Sequence, residues 1–151
     1  MIYETDADRE RESEFKLRIE SRFNCELIKL SYDWQFDFLI ARNKLLTGIA
    51  EIKVRTHEST KYETVIFSEH KAKSGFTFCK KTLCFSGKDN QFRPPSFIFF
   101  VRFTDKAMYC QLDQVDFGLY ERVKLSAKNH ADDPTDTEWV RYIPVNKFKE
   151  F

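Results

Sequence analysis

Glycine and proline are scarce in this chain of 151 residues, which contains four of each. Their scarcity excludes collagen-like chains and the proline- and glycine-rich segments that are typical of disordered linkers. No apolar run approaches the ~20 residues that a transmembrane helix needs, so we expect no membrane association. The chain starts Met-Ile-Tyr-Glu and continues with acidic residues, which is unlike a secretory signal peptide. We therefore expect a cytoplasmic protein.

The short motifs of several enzyme classes are also missing. The sequence has no glycine-rich phosphate loop, no GxSxG elbow and no HExxH zinc motif. Its four cysteines form no CxxC pair, and we expect them to be reduced. The formal net charge is only +1, so any surface that binds nucleic acid must be a local basic patch.

Apolar residues, by contrast, are plentiful. They make up 42% of the chain and include sixteen phenylalanines, which is enough for a sizeable hydrophobic core. The length, together with the lack of internal repeats and low-complexity segments, predicts one domain over residues 1–151.

The N-terminal part of the chain has the pattern of an amphipathic helix over residues 5–23. Thr5 or Asp6 is a suitable N-cap, and acidic residues crowd the first turns, where the helix dipole favours them. Apolar side chains recur at i, i+4 and i+8 and form the predicted buried stripe. This stripe comprises Phe15, Ile19 and Phe23.

A second helix is predicted to begin after Ser68, its N-cap, and to end at Gly87. Gly75 lowers the helix propensity of this segment by ~1 kcal/mol. The predicted buried stripe comprises Ala72, Phe76, Cys79 and Leu83.

Runs of β-branched, aromatic and aliphatic residues predict the strands. The predicted strands are residues 25–31, 34–41, 46–55, 96–103, 107–112, 120–125 and 139–145. Residues 96–103 are almost continuously apolar, which predicts a central strand buried on both faces. Residues 62–67 are β-prone and are expected to form a short extended piece, whereas residues 88–95 and 129–138 are expected to be loops.

The strands 34–41 and 46–55 form a predicted hairpin with charged residues at its centre. A turn centred on Lys44 places Asp37 opposite Glu51, with Cβ atoms roughly 5 Å apart. Because side chains alternate along a strand, Lys53 shares the face of Glu51. Two interpretations are open: a salt-bridged face of an ordinary half-buried hairpin, or a catalytic cluster.

An Asp on one strand and Glu-x-Lys on the next resembles the PD-(D/E)XK nuclease superfamily, also called restriction-endonuclease-like. The match rests on Asp37, Glu51 and Lys53, while Phe36 stands where the family has a proline. The resemblance implies a Mg²⁺ or Mn²⁺ ion held by Asp37 and Glu51. It also implies that the backbone carbonyl of Ile52 adds an oxygen ligand and that Lys53 lies beside the attacking water.

The predicted order of elements resembles the same family. This order is α-β-β-β-α-β-β over roughly residues 5–113, followed by a C-terminal extension. The resemblance implies an α/β protein with a restriction-endonuclease-like core, in which helices flank a mixed central sheet.

Two candidate ligands have alternatives in the sequence. Many members of the family place a Glu on the first helix, and Glu12 has the best phase relative to Phe15. Its alternatives are Glu10, Glu14 and Glu20. Asp33 is the alternative to Asp37, but it precedes the strand, so we prefer Asp37.

DNA is the expected partner. The family often has Lys or Gln on the first turn of the second helix, which implies that Lys71 lies near the metal site and the substrate phosphate. Further candidate phosphate contacts are Arg55, Lys73, Lys80, Lys81, Lys88 and Arg93. A solvated helix face explains the lysines equally well, and His57 and His70 are expected to be surface residues.

The sequence thus predicts a Mg²⁺-dependent deoxyribonuclease. No module that reads bases is evident, so we expect structure-selective or non-specific cleavage. Small members of the family often act as homodimers, and branched-DNA resolvases are one such group. The alternative function is an inactive nuclease fold that binds DNA or protein, and a third interpretation is an unrelated α/β domain with a chance motif.

Overall fold

The structure is a computed structural model that describes residues 5–31, 33–86, 88–126 and 137–151. The described part contains two α-helices, α1 (Asp6–Phe23) and α2 (Glu69–Lys81). The strands before α2 are β1 (Glu26–Lys29), β2 (Phe38–Arg42), β3 (Leu45–Val54) and β4 (Thr64–Ser68). The strands after α2 are β5 (Cys84–Ser86), β6 (Gln91–Arg93), β7 (Ser96–Arg102), β8 (Ala107–Gln111), β9 (Arg122–Ser126), β10 (Thr137–Pro144) and β11 (Lys149–Glu150).

Six strands form the central sheet, in the order β1-β2-β3-β7-β8-β11. The sheet is mixed, because β3 and β7 pair in parallel whereas the other neighbours pair antiparallel. Strand β7 lies inside the sheet and is buried on both faces, with Phe99 on one side and Phe100 on the other. This confirms the prediction of a mixed central sheet with a buried strand at residues 96–103.

The two helices cover opposite faces of this sheet. Phe15 and Ile19 of α1 pack with Ala50 and Ile52 of β3 in one hydrophobic cluster. On the other face, α2 contributes Ala72 and Cys79 to a larger cluster that includes Ile49, Phe97 and Val101. Alternation along β3 therefore directs Glu51 and Lys53 to the face covered by α2.

Helix α1 begins as the sequence predicts. The Thr5 hydroxyl accepts a hydrogen bond from the Asp8 backbone N–H, and the Asp8 carboxylate accepts one from the Thr5 N–H. This capping box satisfies two N–H groups that have no partner within the helix. The helix ends at Phe23, and the next residue, Asn24, is its C-cap and adopts the left-handed conformation with φ of 50°.

The β2–β3 hairpin turns at Asn43 and Lys44, which have φ values of 50° and 64°. Without an irregularity, this two-residue turn would pair Asp37 with Ala50. A bulge between Ile40 and Ala41 shifts the register, so that Phe38 pairs with Ala50 and the preceding Asp37 lies opposite Glu51. The predicted juxtaposition is thus present, although the sequence analysis did not foresee the bulge that produces it.

Helix α2 starts after Ser68, whose hydroxyl accepts a hydrogen bond from the Lys71 N–H, as predicted. It ends at Lys81, so the expected extension to Gly87 is wrong. Thr82 is extended, and residues 84–86 pair with β6 as a separate hairpin. Leu83 is therefore not part of the buried stripe and is 66% exposed.

A second, three-stranded sheet has the order β4-β10-β9. Strand β4 confirms the expected extended piece at residues 62–67, and β9 and β10 confirm the strands expected near 120–125 and 139–145. Together with β5 and β6, however, β4 interrupts the expected order α-β-β-β-α-β-β. The expected loop 88–95 contains β6, and residues 137 and 138 of the expected loop 129–138 belong to β10; the rest of that loop lies outside the described residues.

All four cysteines are free. Burial raises the pKa of the Cys79 thiol to about 12 and that of Cys110 to about 11, so neither is poised as a nucleophile. Neither of the described helices is long and apolar enough to cross a membrane.

Candidate active site

Four charged side chains converge on the α2 face of the central sheet. Lys71 Nζ lies 2.5 Å from Glu51 Oε1 and 3.8 Å from Asp37 Oδ1. Lys53 Nζ lies 3.8 Å from the same Glu51 oxygen. Strand β3 supplies Glu51 and Lys53, the residue before β2 supplies Asp37, and the first turn of α2 supplies Lys71. We call these four residues the carboxylate–lysine cluster.

Glu51 is the buried centre of the cluster, with only 1% of its surface exposed. Burial raises the pKa of Glu51 to about 7, and the Asp37 charge adds to the rise, while Lys71 and Lys53 oppose it. Its Oε2 atom is buried and has no hydrogen-bond partner among the described residues. A buried, unpartnered carboxylate oxygen costs free energy, and such atoms are often found where a site binds an ion or substrate.

Lys71 is the principal counter-charge. Burial lowers its pKa, but the Glu51 and Asp37 carboxylates outweigh burial, and the pKa is raised overall. The side chain therefore stays charged at neutral pH. About a third of it, 32%, remains exposed, so the ammonium faces both the carboxylates and solvent.

The donor set suits a hard divalent cation. Mg²⁺ prefers oxygen ligands, keeps several waters and is typically bound through one or two carboxylates. Asp37 supplies an accessible carboxylate, and Glu51 supplies a buried one whose second oxygen no described residue contacts by a hydrogen bond. Among the described residues, no group of three or more His, Cys, Asp or Glu side chains is arranged to hold a metal. The described residues of the cluster thus offer at most two acidic side chains to a metal.

The structure does not bring Glu12 to the cluster, which corrects the expectation from the sequence. Glu12 Oε1 lies 3.1 Å from Lys29 Nζ. The predicted helix phase was correct, because Phe15 and Ile19 are buried, but α1 packs on the opposite face of the sheet. Its other glutamates do not replace it: Glu14 pairs with Arg102, and Glu20 accepts a hydrogen bond from the Leu27 N–H.

The remaining basic candidates lie outside the cluster. Lys73 pairs with Glu69 at 3.2 Å, and Arg93 pairs with Asp89. Lys80, Lys81 and Lys88 are exposed. Arg55 follows β3 and lines a cavity of about 480 Å³ next to α1, together with Arg11 and Arg102 among others. The structure therefore brings only Lys71 of these candidates to the two carboxylates.

A second charged cluster, which was not predicted from the sequence, surrounds Glu69, the first residue of α2. The Glu69 carboxylate accepts hydrogen bonds from Arg122 at 2.7 and 3.0 Å and from Arg141 at 3.2 Å. Arg122, as the largest cause, and Lys73 lower the pKa of Glu69 to about 2. The two arginines lie 53 and 72 residues away in sequence, so no local pattern connects them.

A mixed sheet with an Asp and a Glu-x-Lys on adjacent strands is the arrangement of the PD-(D/E)XK nuclease superfamily. A protein-family model described as "Phage putative PDDEXK endonuclease" matches residues 1–151. The chain belongs to this family. Neither the curated proteins nor the solved structures gave a match to the chain.

Proposed function

We propose that this protein is a divalent-metal-dependent nuclease that hydrolyses phosphodiester bonds of DNA at the carboxylate–lysine cluster. Family membership supports an endonuclease. The observation that carries the proposal is the buried Glu51 Oε2 atom, which has no partner in the part of the chain that the structure describes, although charged groups surround the rest of the carboxylate. A purely structural ion pair would be expected to satisfy both oxygens of so deeply buried an acid.

Asp37 and Glu51 would hold the metal, with the Ile52 carbonyl as a third oxygen donor. When bound, a divalent ion supplies Lewis-acid activation of phosphate and water. Charge on the two carboxylates also favours the charged form of Lys71, whose pKa is raised.

The two lysines would have different roles. Lys53 is 44% exposed and only 3.8 Å from Glu51, so its ammonium can orient a water and stabilise charge that develops on the transferring phosphoryl group. Lys71 contacts both carboxylates and retains exposure to solvent, so it can bind a substrate phosphate. The exposed basic residues on and after α2, Lys80, Lys81 and Lys88, would add salt-dependent phosphate contacts.

Cleavage would be structure-selective or non-specific. We further propose a cytoplasmic protein of one domain that acts as a homodimer, so that two sites reach two strands. Mg²⁺ or Mn²⁺ would be the cofactor.

One observation favours a second candidate, an inactive nuclease fold that binds DNA or protein. Lys71 already satisfies Glu51 Oε1 at 2.5 Å, as in a structural ion pair. Such a protein would bind its partner without cutting it.

A cleavage assay separates the two candidates. Linear, nicked, flapped and four-way DNA would be incubated with Mg²⁺, Mn²⁺ or a chelator, alongside Asp37→Asn and Glu51→Gln. We expect cleavage that needs the metal and both carboxylates. Two results would reject the nuclease: DNA binding without cleavage of any substrate, or cleavage by both variants at the rate of the wild type.

A further inference from the structure

A basic and aromatic surface lies on the second sheet near the N-terminal end of α2, apart from the carboxylate–lysine cluster. Strands β9 and β10 pair Trp139 with Lys124 and Arg141 with Arg122. Alternation places these four side chains on one face of the sheet. We call this surface, formed by Arg122, Lys124, Trp139 and Arg141, the Trp139 face.

The Trp139 face is held in a defined geometry. Arg122 donates two hydrogen bonds to Glu69, whose carboxylate is only 7% exposed. The same guanidinium lies 3.8 Å from the centroid of the Trp139 ring. Trp139 nevertheless remains 40% exposed, so a fixed cation supports an indole that is accessible to a ligand.

The Trp139 face carries excess positive charge. Glu69 is shared by Arg122, Arg141 and Lys73. In residues 5–31, 33–86, 88–126 and 137–151, no other acid is paired with these three cations. Lys124 Nζ adds a further charge 5.9 Å from the Trp139 ring. Because Glu138 alternates to the opposite face, it does not neutralise them.

Helix α2 connects this surface to the candidate active site. Glu69 anchors the Trp139 face, and Lys71, two residues further along the same turn, contacts Glu51. The Trp139 face and the candidate active site therefore share the first turn of α2.

We propose that the Trp139 face is a subsite for an unpaired nucleotide of the substrate, whose base stacks on Trp139 while Arg122, Lys124 and Lys73 contact the flanking phosphates. This inference rests on the proposed function, because it assumes a nucleic acid substrate. Aromatic rings next to cations are the usual means of binding single strands, and stacking needs a base whose face is not covered by a neighbour. The subsite would favour flapped, nicked or single-stranded DNA over blunt duplex.

Intrinsic fluorescence tests the contact directly. The chain has two tryptophans, so a Trp34→Phe variant leaves Trp139 as the only tryptophan reporter. The variant is titrated with single-stranded oligothymidine in the presence of a chelator, which removes divalent metal and so prevents cleavage. We expect saturable quenching of Trp139 and little change with blunt duplex. Fluorescence anisotropy of a labelled oligonucleotide shows independently when single-strand binding is saturated. Unchanged Trp139 fluorescence at saturation would overturn the inference, and so would quenching by polyglutamate equal to that by the single strand.

Substitution tests the energetic contribution. Trp139→Ala should weaken single-strand binding about tenfold or more but duplex binding by no more than about twofold, and Trp139→Phe should recover part of the loss. Ile66→Ala is the matched control, because Ile66 is 37% exposed on the opposite face of the same sheet. Equal losses with both DNA forms, or the same loss for Ile66→Ala, would reject stacking.

The two proposals fail separately. Quenching by single strands without cleavage of any DNA would support the subsite and reject the nuclease. Metal-dependent cleavage without quenching would support the nuclease and reject the subsite. If Trp139→Ala does not fold, the Trp34→Phe titration still decides the question, because it keeps Trp139 in place.

Discussion

At the residue scale, Glu51 is an acidic side chain whose buried surroundings disfavour its ionised form. Its carboxylate is buried, one oxygen has no partner among the described residues, and its pKa is raised to about 7. A raised pKa means that the fold disfavours the ionised form even with two lysines nearby. The residue therefore costs stability at neutral pH, which is typical of a position retained for function.

The pH dependence of stability, compared between the wild type and Glu51→Gln, tests whether the fold disfavours the ionised form of Glu51. Because the folded pKa of Glu51, about 7, lies above its ordinary value of 4.5, the stability that protonated Glu51 contributes is present below pH 4.5 and lost as pH rises through 7. The metal-free wild type should therefore become less stable than Glu51→Gln towards pH 8, by on the order of 2 kcal/mol. Thermal melts of both proteins from pH 5 to 8 measure this. A variant that melts far below the wild type at pH 8 would identify a structural ion pair.

Substitutions of the two lysines of the cluster should have different effects on metal affinity and on turnover. Lys53→Met keeps the apolar stem and removes the ammonium. We expect turnover to fall by roughly a hundredfold, with Mg²⁺ affinity within about tenfold of the wild type. Lys71→Met should also lower turnover, but it should tighten Mg²⁺ binding, because the ammonium no longer competes for Glu51 Oε1.

Lys149→Met is the matched control for both variants, because Lys149 is exposed on β11, at the opposite edge of the central sheet from β1 and β2, and has no proposed role. Calorimetry and single-turnover kinetics give the two quantities. If Lys53→Met cleaves as fast as the wild type, its proposed role is wrong.

At the scale of elements, Gly75 shows how packing overrides helix propensity. Glycine inside a helix is unfavourable, which lowers the expectation of a helix here. In the structure, a Cβ at residue 75 would overlap the buried ring of Phe97, so the helix needs glycine to approach β7 closely. The same approach brings the first turn of α2, with Lys71, over the sheet.

Gly75→Ala should therefore destabilise the protein by about 1–3 kcal/mol, although alanine is the better helix former. Chemical denaturation provides the measurement. Gly118→Ala is the control, because a Cβ there meets nothing within 4 Å. Equal stability of the Gly75→Ala variant and the wild type would show that α2 does not pack against Phe97 as described.

Local patterns predicted most of the elements but not their irregularities. Amphipathic spacing and caps identified α1 and the start of α2, and apolar runs identified β3 and β7. The bulge between Ile40 and Ala41 depends on how the two strands fit together, so the sequence analysis obtained the Asp37–Glu51 pairing from a simpler turn. The end of α2 was missed because Cys84–Ser86 gains a partner in β6, which periodicity does not reveal.

At the scale of the whole molecule, the largest error concerned the face on which α1 packs. The pattern of Phe15 and Ile19 shows which side of the helix is buried, but not which side of the sheet buries it. That choice depends on the chain path between α1 and β3, and it removed Glu12 from the candidate site. The contacts of Glu69 with Arg122 and Arg141 are equally non-local. Asp37, Glu51 and Lys53 were easier to identify, because one hairpin carries all three.

The proposed nuclease site requires that Asp37 and Glu51 share a divalent metal without Glu12. Calorimetric titration of the wild type with Mn²⁺ tests it most directly, with Asp37→Asn, Glu51→Gln and Glu12→Gln alongside. We predict that the first two variants lose affinity by about tenfold or more, whereas Glu12→Gln binds as the wild type does. Wild-type affinity in Glu51→Gln, or a loss confined to Glu12→Gln, would contradict the claim.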